Sequence, residues 1–88
     1  MKLKSGFVLQ NVAGSYLACS TGELTREFRG VIRMNATGAF IWEVLAQDVS
    51  FEQIVEKLCE KYDISKEIAE KDARSFVDYL DSYGVVEK

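Results

Sequence analysis

At Asn35 the spacing of the apolar residues changes. Before it they tend to alternate, and after it they recur every three to four positions. Alternation divides side chains between the two faces of a strand, whereas a period near 3.6 gathers them on one face of a helix. The chain is therefore expected to run strands first and helices second, an α+β arrangement. Residues 35–45, Asn-Ala-Thr-Gly-Ala-Phe-Ile-Trp-Glu-Val-Leu, open the helical half. Asn35 suits the N-cap, where its side-chain oxygen accepts from a free N–H of the first turn and contributes about 1 kcal/mol. Thr37 is an alternative cap. Ile41, Val44 and Leu45 share one face, with Phe40 and Trp42 on its flanks. Gly38 inside this helix costs about 1 kcal/mol relative to Ala, which points to close approach of another backbone.

The first 34 residues read as three strands. Residues 7–12, Phe-Val-Leu-Gln-Asn-Val, and residues 15–20, Ser-Tyr-Leu-Ala-Cys-Ser, flank Ala13-Gly14, a two-residue hairpin turn in which glycine supplies positive φ. Thr21-Gly22-Glu23 begins a longer polar connection. In residues 27–34, Glu-Phe-Arg-Gly-Val-Ile-Arg-Met, the residues Phe28, Ile32 and Met34 share one parity, and Arg29, Val31 and Arg33 the other. The first set is expected to face the core and the second to face out. Gly30 within this strand suggests a bulge or a close neighbour. In meander order the third strand lies at an edge, and an unpaired edge invites another strand. Nothing later in the chain reads as a strand able to pair there, apart from the short Val85-Val86.

The helical half continues with two further helices. Ser50 and Gln53 have the spacing of a capping box, and Val49 with Ile54 that of a hydrophobic staple. Phe51, Ile54, Val55, Leu58 and Tyr62 form an apolar stripe on the second helix. Asp63-Ile64-Ser65 is a connector whose Ser65 caps the third. There Ala69, Ala73, Phe76, Leu80 and Tyr83 are expected to be buried, with Ile68, Asp72, Ser75 and Tyr79 on a mixed stripe beside them. Gly84 fits a left-handed helix stop, and Val85-Val86 a packed tail. No repeat, proline or low-complexity linker divides the chain, so residues 1–88 are expected to make a single domain.

Composition excludes several kinds of chemistry. There is no histidine, which removes the commonest general base and the usual nucleophilic triads. Cys19 and Cys59 form no CxxC pair, so no zinc site is expected; two buried structural thiols in a reducing compartment account for them. No phosphate-binding glycine motif occurs. Glu52, Glu56 and Glu60 recur every four residues along what reads as a solvated face. Neither a catalytic residue, a metal nor a cofactor is expected. No apolar run approaches the ~20 residues of a membrane span, and the N-terminus lacks the apolar core of a signal peptide, so a cytoplasmic protein is expected. The net charge of −3 is uneven. Residues 1–34 carry Lys2, Lys4, Arg26, Arg29 and Arg33 against Glu23 and Glu27, a balance of +3; residues 35–88 carry the other 6 basic and 12 acidic residues, a balance of −6. Acidic helices argue against a nucleic-acid partner. The residues alone thus describe a small α+β binding module and leave its ligand open.

Two ordered stretches add to this. Leu9-Gln10-Asn11-Val12-Ala13-Gly14-Ser15-Tyr16 and Met34-Asn35-Ala36-Thr37-Gly38-Ala39-Phe40-Ile41-Trp42-Glu43-Val44-Leu45 resemble the PqqD-like family. Its signature is an apolar residue, Asn, two residues, Gly-Ala, two residues and Trp-Glu-x-Leu. Met34 stands where Leu is usual. Residues 50–58, Tyr62-Asp63-Ile64, and then Asp72, Phe76, Leu80, Gly84 and Val85-Val86 are similar to that family's second and last helices and its ending. The resemblance covers about residues 3 to 86, with the central motif its most specific part.

The resemblance implies a winged-helix-like domain, a three-stranded antiparallel sheet followed by three helices. It also implies a recognition element for ribosomally made precursor peptides that are later modified. The leader part of such a peptide would add as a strand beside the third strand, in a groove bordered by the third helix. Phe28, Arg29, Gly30, Val31, Ile32, Arg33 and Met34 would supply the ladder. Arg29 and Arg33 could pair with acidic leader residues, although charges also simply protect edges. Ile68, Lys71, Asp72, Ser75 and Tyr79 would form the helix side. The implied partners are the leader peptide and a modifying enzyme, such as a radical S-adenosylmethionine maturase or a leader protease, met in trans. An open edge could also pair with a second copy to give a homodimer. The competing readings are a winged-helix DNA-binding regulator and a non-catalytic protein-interaction subunit.

Overall fold

The computed structural model describes residues 1–20 and 31–87. In chain order the elements are β1 (Lys2–Leu3), β2 (Phe7–Val12), β3 (Ser15–Ser20), β4 (Val31–Met34), α1 (Ala36–Val44), α2 (Phe51–Tyr62), α3 (Lys66–Ser82) and β5 (Val86–Glu87). The chain divides into two compact units, residues 4–40 and residues 1–3 with 41–88, the division falling within α1.

The unit of residues 4–40 is built on an antiparallel sheet in the order β2–β3–β4. Ala13 and Gly14 both take positive φ, 52° and 82°. Two such residues in succession give the turn whose twist matches a tight hairpin, and Val12 pairs with Ser15 directly across it. From that pair the register places Leu9, Ala18 and Ile32 in one row across the sheet, and Val8, Cys19 and Val31 in the next. The two rows lie on opposite faces. Ala18 and Ile32 are fully buried, while Val8 and Val31 are exposed. The expected parity of the third strand holds at its described end, with Ile32 buried, Met34 half-buried, and Val31 and Arg33 exposed. The rest of that strand and the polar connection before it lie outside the described residues.

The start of α1 is fixed locally. The Asn35 side-chain oxygen accepts from the Gly38 N–H at 2.8 Å, and its carbonyl accepts from the Ala39 N–H at 2.9 Å. Gly38 itself is buried at this third helical position.

In the helical unit, Ile41, Trp42 and Leu45 are buried at the end of α1 and just beyond it. The capping box of α2 is complete: Gln53 N–H donates to Ser50 Oγ at 3.2 Å, and Ser50 N–H to Gln53 Oε1 at 2.8 Å. Ile54, Val55 and Leu58 are buried as their spacing requires, but Tyr62, at the end of the stripe, is exposed. Asp63 ends α2 in the left-handed region, and Ser65 Oγ accepts from Ile68 N–H to begin α3. On α3 the buried residues are Ala69, Ala73, Val77 and Leu80. The helix is therefore turned from its expected orientation: Phe76 is half-buried and Tyr83 exposed.

The tail after Gly84 is not merely packed. Val86–Glu87 forms β5, paired antiparallel with β1, Lys2 opposite Glu87 and Leu3 opposite Val86. Val85 and Val86 are buried, and the pairing uses residues 2 and 3, which showed no strand pattern in the sequence. β1 is held further by Leu3 N–H donating to the Leu45 carbonyl at 2.9 Å. Beside it, the Val49 N–H donates to the Met1 carbonyl at 2.8 Å. The Met1 ammonium donates to Asp48 Oδ1 at 3.0 Å and holds that carboxyl below its ordinary range. Cys19 and Cys59 are free thiols, but they are half-buried, not enclosed as expected: one lies on the outward face of β3 and the other on the outer side of α2.

Candidate functional site

In the sheet unit the candidate site is the β4 edge. Among the described residues β4 ends the strand order, with β3 as its partner. The register fixes which of its main-chain groups are used. Residues flanking a two-residue turn exchange hydrogen bonds, and along an antiparallel pair such pairs alternate with non-bonded ones. From Val12–Ser15 onward, Leu17 and Cys19 therefore bond to β2, and Tyr16 and Ala18 turn toward β4. Their partners Met34 and Ile32 are occupied with β3. The N–H and C=O of Val31 and Arg33 are directed the other way, toward the edge. Their side chains stand on the outward face, with Val31 42% exposed. Of the ladder residues expected from the sequence, β4 thus supplies Val31, Ile32, Arg33 and Met34, but Ile32 is core. Phe28, Arg29 and Gly30 lie outside the described residues.

In the helical unit the expected residues share one stripe. Ile68, Lys71, Asp72, Ser75 and Tyr79 fall three and four positions apart on α3, and all five are exposed. Ile68 is 52% exposed and Tyr79 37%. These are large apolar side chains that the core of this unit does not use. Tyr83, expected on the buried stripe, instead adjoins this one. Tyr83, four residues after Tyr79, is 41% exposed and meets it edge to face with ring centroids 5.3 Å apart. Phe76 lies on the other side of Tyr79 at 6.1 Å. The four-residue spacing of the two tyrosines was the available signal. Their pairing gives the C-terminal end of α3 an aromatic surface with hydroxyl groups.

Main-chain groups at an edge and exposed aromatic and aliphatic side chains on a helix are binding chemistry. Among the described residues no group of three His, Cys, Asp or Glu side chains is placed to hold a metal ion. No helix among them is long and apolar enough to cross a membrane.

Comparison with solved structures gives two close likenesses of fold. One is TbiB1 in complex with the TbiA(beta) leader peptide, 22% identical, with a TM-score of 0.75 over 99% of this chain and 95% of that one. Another is a lasso peptide synthetase B1 complexed with the leader peptide, 17% identical, with a TM-score of 0.73 over 99% of this chain and 96% of that one. No curated protein matches in sequence. Residues 7–86 match the profile of coenzyme PQQ synthesis protein D, a span that includes the hairpin, the Asn35 motif and all three helices. The chain belongs to the PqqD family.

Proposed function

We propose that this chain binds the leader segment of a ribosomally made precursor peptide and presents it to a peptide-modifying enzyme. The observation that carries this is the β4 edge, where the main chain of Val31 and Arg33 is directed outward. Strand addition at such an edge draws affinity from main-chain hydrogen bonds and selectivity from side-chain contacts. Two proteins of the same fold form complexes with leader peptides, which supports the same use here. In this reading residues 28–34 supply the ladder. The Arg29 and Arg33 guanidinium groups meet acidic leader residues, and Ile68, Lys71, Asp72, Ser75 and Tyr79 add contacts from α3.

Residues 1–88 act as one recognition domain without catalysis of their own. The modifying enzyme is of the radical S-adenosylmethionine or leader-protease kind, and the setting is cytoplasmic. A second copy pairing through the same edge competes with the leader. The DNA-binding reading is not favoured: α2 and α3 expose Glu52, Glu56, Glu60, Glu67, Glu70 and Asp72, which would face a polyanion.

The test is an NMR titration of the isotope-labelled chain with leader peptides encoded beside its gene. Shifts concentrated in residues 28–34 and 68–79 are expected. No shifts with any of these leaders, together with shifts on adding duplex DNA, would overturn the reading.

A further inference from the structure

The helical unit carries a second surface. An open cleft of about 700 Å³ runs between α2 and α3. Its floor is Phe51, Val55 and Cys59, spaced four residues apart on α2. Along its α2 side stand Glu52, Glu56 and Glu60, all exposed. Successive carboxylates in this row are about 6 Å apart along the helix axis. Like charges at that spacing oppose helix formation. None of the three forms an ion pair with a described residue. The cations on the α3 side are engaged elsewhere. Lys66 lies 3.9 Å from Glu70, and the Arg74 guanidinium sits 4.7 Å above the centre of the Phe51 ring.

An apolar floor beside a row of unpaired carboxylates suits a basic, amphipathic occupant. We infer that this cleft docks a basic amphipathic helix of the peptide-modifying enzyme. Lys or Arg residues repeated every four positions on that helix would match the carboxylates one for one, and an apolar side chain between them would meet the half-buried Phe51 and Cys59. The inference rests on the leader-binding reading, since a carrier that delivers a peptide needs a docking surface the peptide does not occupy. None of the residues lining the cleft belongs to the proposed leader site. Rim charges of this kind mainly set association rate and salt dependence.

Glu56→Lys tests this without endangering the fold. It turns two like-charge contacts four residues apart into two opposite-charge ones, Glu52 with the new lysine and the lysine with Glu60. Its Tm is expected to be no lower than that of the wild type. The measurement is the affinity of the full chain for the purified modifying enzyme encoded beside its gene, with leader affinity measured in parallel. The expected result is binding to the enzyme that weakens about tenfold in Glu56→Lys, as loss and reversal of a complementary charge imply, with leader affinity unchanged. Equal affinity of wild type and variant for the enzyme, or no binding of either, would overturn the docking inference. Enzyme binding that Glu56→Lys weakens, in a chain that binds no leader, would uphold the cleft and overturn the leader reading instead.

Discussion

Asn35 fixes the first turn of α1 by accepting twice, through its side chain at 2.8 Å and its carbonyl at 2.9 Å. Alanine at this position keeps the carbonyl bond and loses the other. Asn35→Ala is expected to destabilise the protein by about 1 kcal/mol, read as a lower urea midpoint at unchanged slope. Residue-scale features of this kind were legible in the sequence because their physics is local. Asn35, Ser50 and Ser65 each bond a group three positions away, so identity and spacing were enough. Ala13-Gly14 was legible for the same reason, although Ala13 itself enters the left-handed region, at φ 52°. What a single residue could not disclose was its depth: Cys19 and Cys59 are half-buried, and nothing in their neighbours' identities fixes that.

At the scale of elements, β4 and α3 differ in how far residue spacing alone determines their orientation. The parity of β4 followed from alternation, and Ile32 is buried as expected. This gives a position-specific outcome for proline. Val31 directs its N–H away from β3, so Val31→Pro removes a donor for an added strand while leaving the β3 ladder intact. The expected result is at least a tenfold loss of leader affinity, on the scale of one hydrogen bond lost and a ring clash gained, with the amide spectrum of β2 and β3 preserved. Ile32→Pro, by contrast, breaks a ladder bond within the sheet and is expected to unfold it. On α3 the apolar residues fit two stripes, Ala69–Ala73–Phe76–Leu80 and Ala69–Ala73–Val77–Leu80, which share three residues and differ in whether Phe76 or Val77 faces the core. Both satisfy a period near 3.6, so spacing could not choose between them. The structure takes the second, and Phe76 turns toward Tyr79. Of the β1–β5 pair only Val85-Val86 was legible as a short strand; its partner was not, because two residues have no period and the two strands stand at opposite ends of the sequence.

For the molecule as a whole, the uneven charge and the family motif carried most of what could be read. The Asn35 motif identified the family because it joins a cap, a glycine and a Trp-Glu pair in fixed order, a combination that packing alone does not demand. The site was legible only in part, since the residues of an edge strand and of an exposed helical stripe resemble ordinary surface until their neighbours are placed. A ligand that binds the folded chain alone stabilises it by mass action, by about 2.7 kcal/mol at a hundredfold excess over Kd. For a chain of this size that corresponds to a rise in Tm on the order of 10 °C, measurable by scanning calorimetry with the leader peptide. A scrambled peptide of the same composition is expected to leave Tm unchanged.

The β1–β5 pair has a consequence for how such a chain can be carried. Lys2 stands opposite Glu87, so the first and last strands of this chain run side by side. Spliced into a loop of a larger protein, it would ask the host to open by little more than one strand spacing, about 5 Å. The host's own fold could then continue past it nearly undisturbed, as closely spaced termini generally allow.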